Sequence, residues 1–112
     1  SSAASDVYKR QVRVPVYRSH SISVTAQFEQ PVDLEKARQA YEGKPGVALM
    51  DNPVEGLWPT PLDSTNGDTC YVGRMRRDIA VDNALTLWVV GDQVRKGAAL
   101  NAVQIAELLI NR

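Results

Sequence analysis

Arg13 and His20 are the two side chains of this sequence whose types and spacing best suit chemistry. A guanidinium grips a carboxylate through two parallel hydrogen bonds, and an imidazole exchanges protons near neutral pH. His20 is the only histidine in the chain. It follows a stretch in which Val12, Val14 and Val16 alternate with Arg13, Pro15 and Tyr17, the period of a half-buried strand over residues 12–17. Pro15 has no N–H for a ladder, which puts that strand at an edge or breaks it locally. By itself, a histidine at a strand end reads first as a surface-loop residue, and Arg18 fits a solvated side chain.

Three other groups of residues compete for a chemical role. Cys70 lies inside an expected strand beside Tyr71 and Val72, with no nearby cation in sequence to lower its pKa. A lone cysteine so placed reads as a small buried hydrophobe rather than a nucleophile. The segment GDQVRKG at 91–97 joins a buried strand to a helix, with Asp92 as the expected helix cap. Its polar groups and the helix N-terminus also suit a cofactor or phosphate, although the segment matches no phosphate-binding fingerprint. Arg74, Arg76 and Arg77 have no aromatic platform among them. Alternation places Arg74 and Arg76 on one strand face, where internal ion pairing is expected over RNA binding.

Several elements must position these residues. Residues 1–11 lack apolar periodicity and are expected to be a disordered tail. They also look like translated sequencing-adapter read-through, so a non-native origin is expected, with the true sequence entering near Val12. Ile22, Val24, Ala26 and Phe28 alternate with Ser23, Thr25 and Gln27, a second strand. Asp33 is placed to cap a helix in which Leu34, Ala37 and Tyr41 form one apolar stripe, and Gly43 to end it in a left-handed conformation. A short strand over 47–50 precedes a connection through Pro53, Pro59 and Pro61, closed by a turn at 64–68. Strands then run over 70–79 and 84–90, the latter (ALTLWVV) apolar enough to be covered on both faces. Strands follow one another largely without helices between them. The expected class is α+β, a mostly antiparallel or mixed sheet with two helices.

The second helix spans residues 96–110. Asn101, Gln104, Glu107 and Asn111 form a narrow polar stripe, and apolar residues cover nearly all the rest. A surface helix is apolar on part of its circumference, so this one calls for a partner or domain to cover its second side.

Composition restricts the partners. Thirteen basic residues balance thirteen acidic ones, which gives no field for nucleic acid. No apolar run approaches the roughly 20 residues of a membrane span. The single cysteine precludes an internal disulfide and argues against a thiolate metal cluster, so no metal is expected and a reducing, cytoplasmic setting is the default.

Taken together, RVPVYRSHS at 13–21, PTPLDSTNGD at 59–68, VGRMRRD at 72–78 and LWVVGDQVRKGAALNAVQIAELL at 87–109 resemble aspartate-semialdehyde dehydrogenase. The resemblance runs in order from Val12 to the end. It implies a two-domain, homodimeric enzyme with an N-terminal Rossmann-type NADP domain and a C-terminal catalytic and dimerisation domain, to which residues 12–112 would belong. Arg13 then corresponds to the arginine that grips the substrate carboxylate, His20 to the acid/base histidine, and Gln93 to a position beside the cofactor. The nucleophilic cysteine and most of the NADP site belong to sequence upstream, and Cys70 does not match that nucleophile. The implied reaction is NADPH-dependent reduction of L-aspartyl 4-phosphate to L-aspartate 4-semialdehyde through a cysteine thioester, in lysine, threonine and methionine biosynthesis. These residues alone are expected to be inactive. Alternatives are the related N-acetyl-gamma-glutamyl-phosphate reductase and a non-catalytic dimerisation module.

Overall fold

The computed structural model of the chain describes residues 4–10 and 14–110. In chain order the elements are β1 (Ala4–Arg10), β2 (His20–Phe28), α1 (Leu34–Tyr41), β3 (Val47–Leu49), α2 (Pro61–Ser64), β4 (Cys70–Arg77), β5 (Ala84–Gly91), a π-helical turn (Arg95–Ala99) and α3 (Leu100–Ile110). The strands form one mixed sheet in the order β1-β2-β5-β4-β3. Among the described residues, the β3–β4 pair is parallel and the other three pairs are antiparallel.

Local sequence explains much of this. The alternation of β2 puts Val24 opposite Leu87, and Ala26 opposite Leu85, across an antiparallel ladder. Leu85 and Leu87 join Val72 and Met75 in the buried core, and Leu34, Ala37 and Tyr41 of α1 pack against it as their spacing predicts. Asp33 caps α1 as expected, its Oδ1 accepting the N–H of Glu35 at 3.0 Å. Gly43 follows at φ +66, the left-handed conformation that a side chain would resist. On the opposite face of the sheet, Thr25 and Thr86 stand directly paired with their hydroxyls 3.1 Å apart. There the indole N–H of Trp88 donates to the buried Pro59 carbonyl at 3.1 Å. Elements on both faces thus cover β5, as its continuous apolar run requires.

Four expectations need correction. The disorder expected over residues 1–11 is replaced at Ala4–Arg10 by β1, which pairs antiparallel with β2. A composition-based reading looks for side chains to bury, whereas an edge strand is held by its backbone ladder. The strand expected over 12–17 is not formed at residues 14–17. Val14 and Val16 are exposed, and the N–H of Val16 turns back onto the Val14 carbonyl at 2.9 Å, so Pro15 marks a break. Two helices were expected, and α2 is a third. Its Thr60-Pro61-x-Asp63 start carries its own signal, because the Asp63 carboxylate accepts the Thr60 N–H at 2.6 Å.

The fourth concerns the terminal helix. It opens with the π turn, and α3 makes its principal contact with that turn. The half-buried positions of α3 are Leu100, Asn101 and Gln104, so it is largely the polar stripe that faces the rest of the chain. Lys96 Nζ donates to Gln104 Oε1 across this junction. Val103, Ile105, Leu108, Leu109 and Ile110 are exposed.

Candidate active site

His20 occupies the first position of β2 and pairs with Gly91, the last residue of β5. Its side chain is exposed. Gln93 follows Gly91 by one intervening residue and is also exposed, so both reach the surface at the same end of the sheet. Arg13, the expected carboxylate-binding residue, lies outside the described residues.

Asp92 lies between Gly91 and Gln93 and is fully buried. Its Oδ2 accepts the Arg18 Nε–H at 2.7 Å and the Asn66 N–H at 2.8 Å. Its Oδ1 accepts the Val94 N–H at 2.9 Å and the Arg95 N–H at 3.3 Å. Burial pushes this carboxyl up, but the Asn66 and Val94 N–H groups, the Arg18 guanidinium and the Arg95 N–H outweigh it and hold the pKa at about 2. Asp92 thus binds the backbone that leads into the π turn, whose own cap position is Val94, two residues later than the sequence suggests. The same bonds commit the N–H groups at this helix start, which removes them as a phosphate cradle. Arg18, which fits a solvated side chain in sequence, is instead ion-paired to a residue 74 positions away.

Ser19 connects Arg18 to His20. It is buried, has φ +70, and its hydroxyl lies 3.2 Å from that of Thr65. Thr65 in turn donates to the Pro61 carbonyl at 2.8 Å. Nothing local in sequence announced this contact, which depends on the placement of α2.

The other candidates take structural positions. Cys70 is half-buried; burial pushes its thiol up, with Lys96 pulling less strongly the other way. The structure therefore supports the reading of Cys70 as a packing residue. Arg74 and Arg76 do not form the expected ion pairs among the described residues. A bulge between Gly73 and Arg76 interrupts the alternation, and Arg74 adopts φ +52. Its guanidinium lies 5.4 Å from the Trp58 ring centroid, an aromatic partner supplied from a distant loop. These residues line a cleft of about 430 Å³ with Ser23, Pro59 and Trp88, which includes neither His20 nor Gln93. No group of three or more potential metal ligands occurs among the described residues. No helix among them is long and apolar enough to cross a membrane.

A family model described as semialdehyde dehydrogenase, dimerisation domain, matches residues 2–96. A curated relative from Synechocystis sp., named aspartate-semialdehyde dehydrogenase, is 52% identical over 101 residues, covering 90% of this chain and 30% of the relative. One of the same name from Prochlorococcus marinus is 48% identical, covering 90% and 29% respectively. The crystal structure of aspartate semialdehyde dehydrogenase II from Vibrio cholerae, complexed with ASA, superposes with a TM-score of 0.75 at 42% identity, covering 88% of this chain and 29% of that one. A probable aspartate-semialdehyde dehydrogenase from Pseudomonas aeruginosa gives 0.73 at 43% identity, covering 86% and 28%. The chain thus spans about 30% of the length of the curated relatives it matches.

Proposed function

The chain belongs to the semialdehyde dehydrogenase dimerisation-domain family, and from that premise we propose that it is the C-terminal catalytic and dimerisation part of an aspartate-semialdehyde dehydrogenase. The reaction in this reading is reduction of L-aspartyl 4-phosphate to the semialdehyde, with release of phosphate. The observation that carries the site assignment is the pairing of His20 with Gly91, which places the histidine and Gln93 at one end of the sheet. The roles follow from their chemistry. Arg13 grips the substrate carboxylate through its two-pronged fork, and the fixed substrate presents its reacting carbonyl to a thiol outside this chain. His20 Nε2 or Nδ1 takes the thiol proton as the sulfur displaces phosphate from the acyl carbon, and returns it to the sulfur when the semialdehyde leaves and the thiol is restored.

The donor set at the end of β5 suits contact with a cofactor amide better than with its phosphates. The exposed Gln93 carboxamide offers two donors and an acceptor. The N–H groups of Val94 and Arg95 are already taken by Asp92. NADPH, when bound, supplies the hydride, and in this reading most of its site lies outside these residues. The family's description as a dimerisation domain supports a homodimer, and a biosynthetic enzyme of this kind would work in the cytoplasm.

The test is turnover by the complete protein with NADP, phosphate and L-aspartate 4-semialdehyde, set against the N-acetylglutamate analogue. Selective turnover of the aspartate substrate is expected, with none from the 112-residue chain alone. Preference for the acetylated substrate would overturn the substrate assignment.

A further inference from the structure

We propose that Asp92 is a positioning residue that fixes His20 and Gln93 relative to one another, with Arg18 and Ser19 as its means of reaching the histidine. This rests on the reading that His20 and Gln93 belong to the active site. An ionised carboxylate has about four acceptor sites and no donor. Arg18, Asn66, Val94 and Arg95 fill all four of them in Asp92. Its side chain is fully buried, so no acceptor is left for a substrate or a solvent molecule. The group's role is therefore in what it holds.

It holds the chain on both sides of the candidate site. One oxygen binds Arg18, two residues before His20, and the other binds Val94, directly after Gln93. The Asn66 bond ties in the turn that follows α2, and Thr65 in that turn meets the Ser19 hydroxyl. Ser19 and Asn66 both have positive φ, at 70° and 59°. Non-glycine residues keep that conformation where their surroundings over-determine it. Three segments that diverge in sequence thus share one anionic anchor, and the histidine leaves the clamp through a backbone with little freedom to move.

Asparagine at position 92 keeps the shape but replaces one oxygen by an NH₂ group, which would face donors. The experiment has two arms. In this chain His20 is the only histidine, so its imidazole Cε1–H resonance is unambiguous by NMR. A single sharp signal is expected for the parent, and a broadened or split one for Asp92→Asn, Arg18→Met and Ser19→Gly. Arg38→Met, which breaks a 2.8 Å ion pair to Asp51 elsewhere, should leave the signal unchanged. In the complete protein, Asp92→Asn should lower kcat about 10- to 100-fold, with KM for the semialdehyde within about twofold. If Asp92→Asn does not fold, Arg18→Met and Ser19→Gly decide the matter; glycine tolerates the positive φ while removing the hydroxyl. A parental His20 signal in the folded variants would overturn the proposal, as would a raised KM at unchanged kcat. Full turnover by His20→Asn would instead overturn the active-site reading, and the NMR arm would still report whether Asp92 holds the histidine.

Discussion

The sulfur of Cys70 on β4 packs against the backbone of Gly91 on β5, so that a methyl group at position 91 would stand 2.8 Å from it. Gly91 is also the residue opposite His20, and the contact therefore supports the sheet where the candidate site begins. Gly91→Ala should destabilise the fold by about 1–3 kcal/mol through overpacking. Adding Cys70→Ala should recover much of that loss, a coupling that denaturant melts of the single and double variants would measure. Additive losses would show that the thiol does not set the limit.

Asp92 gives the fold an acid limit. Its pKa of about 2 lies below the ordinary value of 3.8, so its contribution is present above the unfolded-state pKa and lost as pH falls through the folded one. The stability difference between the parent and Asp92→Asn, followed by circular dichroism in denaturant, should be greatest near neutrality and shrink between about pH 4 and pH 2. A difference that grows with acid would contradict the ion-pair and N–H network around this carboxylate.

Gly73 is required by space. A Cβ there would lie 2.4 Å from the Met50 carbonyl oxygen and 2.4 Å from Pro59 Cδ. Neither is the free end of a flexible side chain, so Gly73→Ala should cost about 3 kcal/mol or more. Thermal melts would measure the loss, and a parental midpoint would show that the loop before α2 yields easily.

Asp51 holds the bulge of β4. It accepts the N–H groups of Arg74 and Met75, each at 3.1 Å, and the guanidinium of Arg38 at 2.8 Å. Asp51→Ala strips all three donors of their partner and should cost about 2 kcal/mol or more. The Trp58 emission spectrum should shift as well, because Arg74 lies over that ring. An unchanged spectrum in a destabilised variant would separate the bulge from the aromatic contact.

On the proposed roles, Arg13 and His20 should fail differently in the complete protein. Arg13→Lys keeps the charge but loses the planar fork, so KM for the substrate should rise well before kcat falls. His20→Asn removes proton transfer, with kcat falling about 100- to 10,000-fold and a smaller effect on KM. Steady-state kinetics of the two variants distinguish these roles, and identical profiles would argue against them.

Local signals survived into the structure where one short segment could satisfy them. Asp33 capping α1, the Leu34–Ala37–Tyr41 stripe and the alternation from Ile22 to Phe28 each need only neighbours a few residues away. The Thr60-Pro61-x-Asp63 start of α2 was equally local, although it was hidden in a segment whose prolines suggested only a connection. Arg18 had no such signal, because Asp92 lies 74 positions later. The same holds for Arg74, whose aromatic partner Trp58 arrives from a distant loop. The valine alternation at 12–17 suggests a strand, yet no element among the described residues offers Val14 and Val16 a face to bury them.

The π turn at Arg95–Ala99 has a consequence for everything after it. A π turn accommodates one more residue than the α-helical path, and one residue is worth about 100° of rotation about the axis. Deleting a residue there would swing every later side chain by about that angle. Asn101 and Gln104 would turn away from the rest of the chain, and part of the exposed leucine and isoleucine surface would turn toward it. The outward display of that apolar surface is thus a matter of helical phase, set in five backbone residues upstream of the side chains that make it.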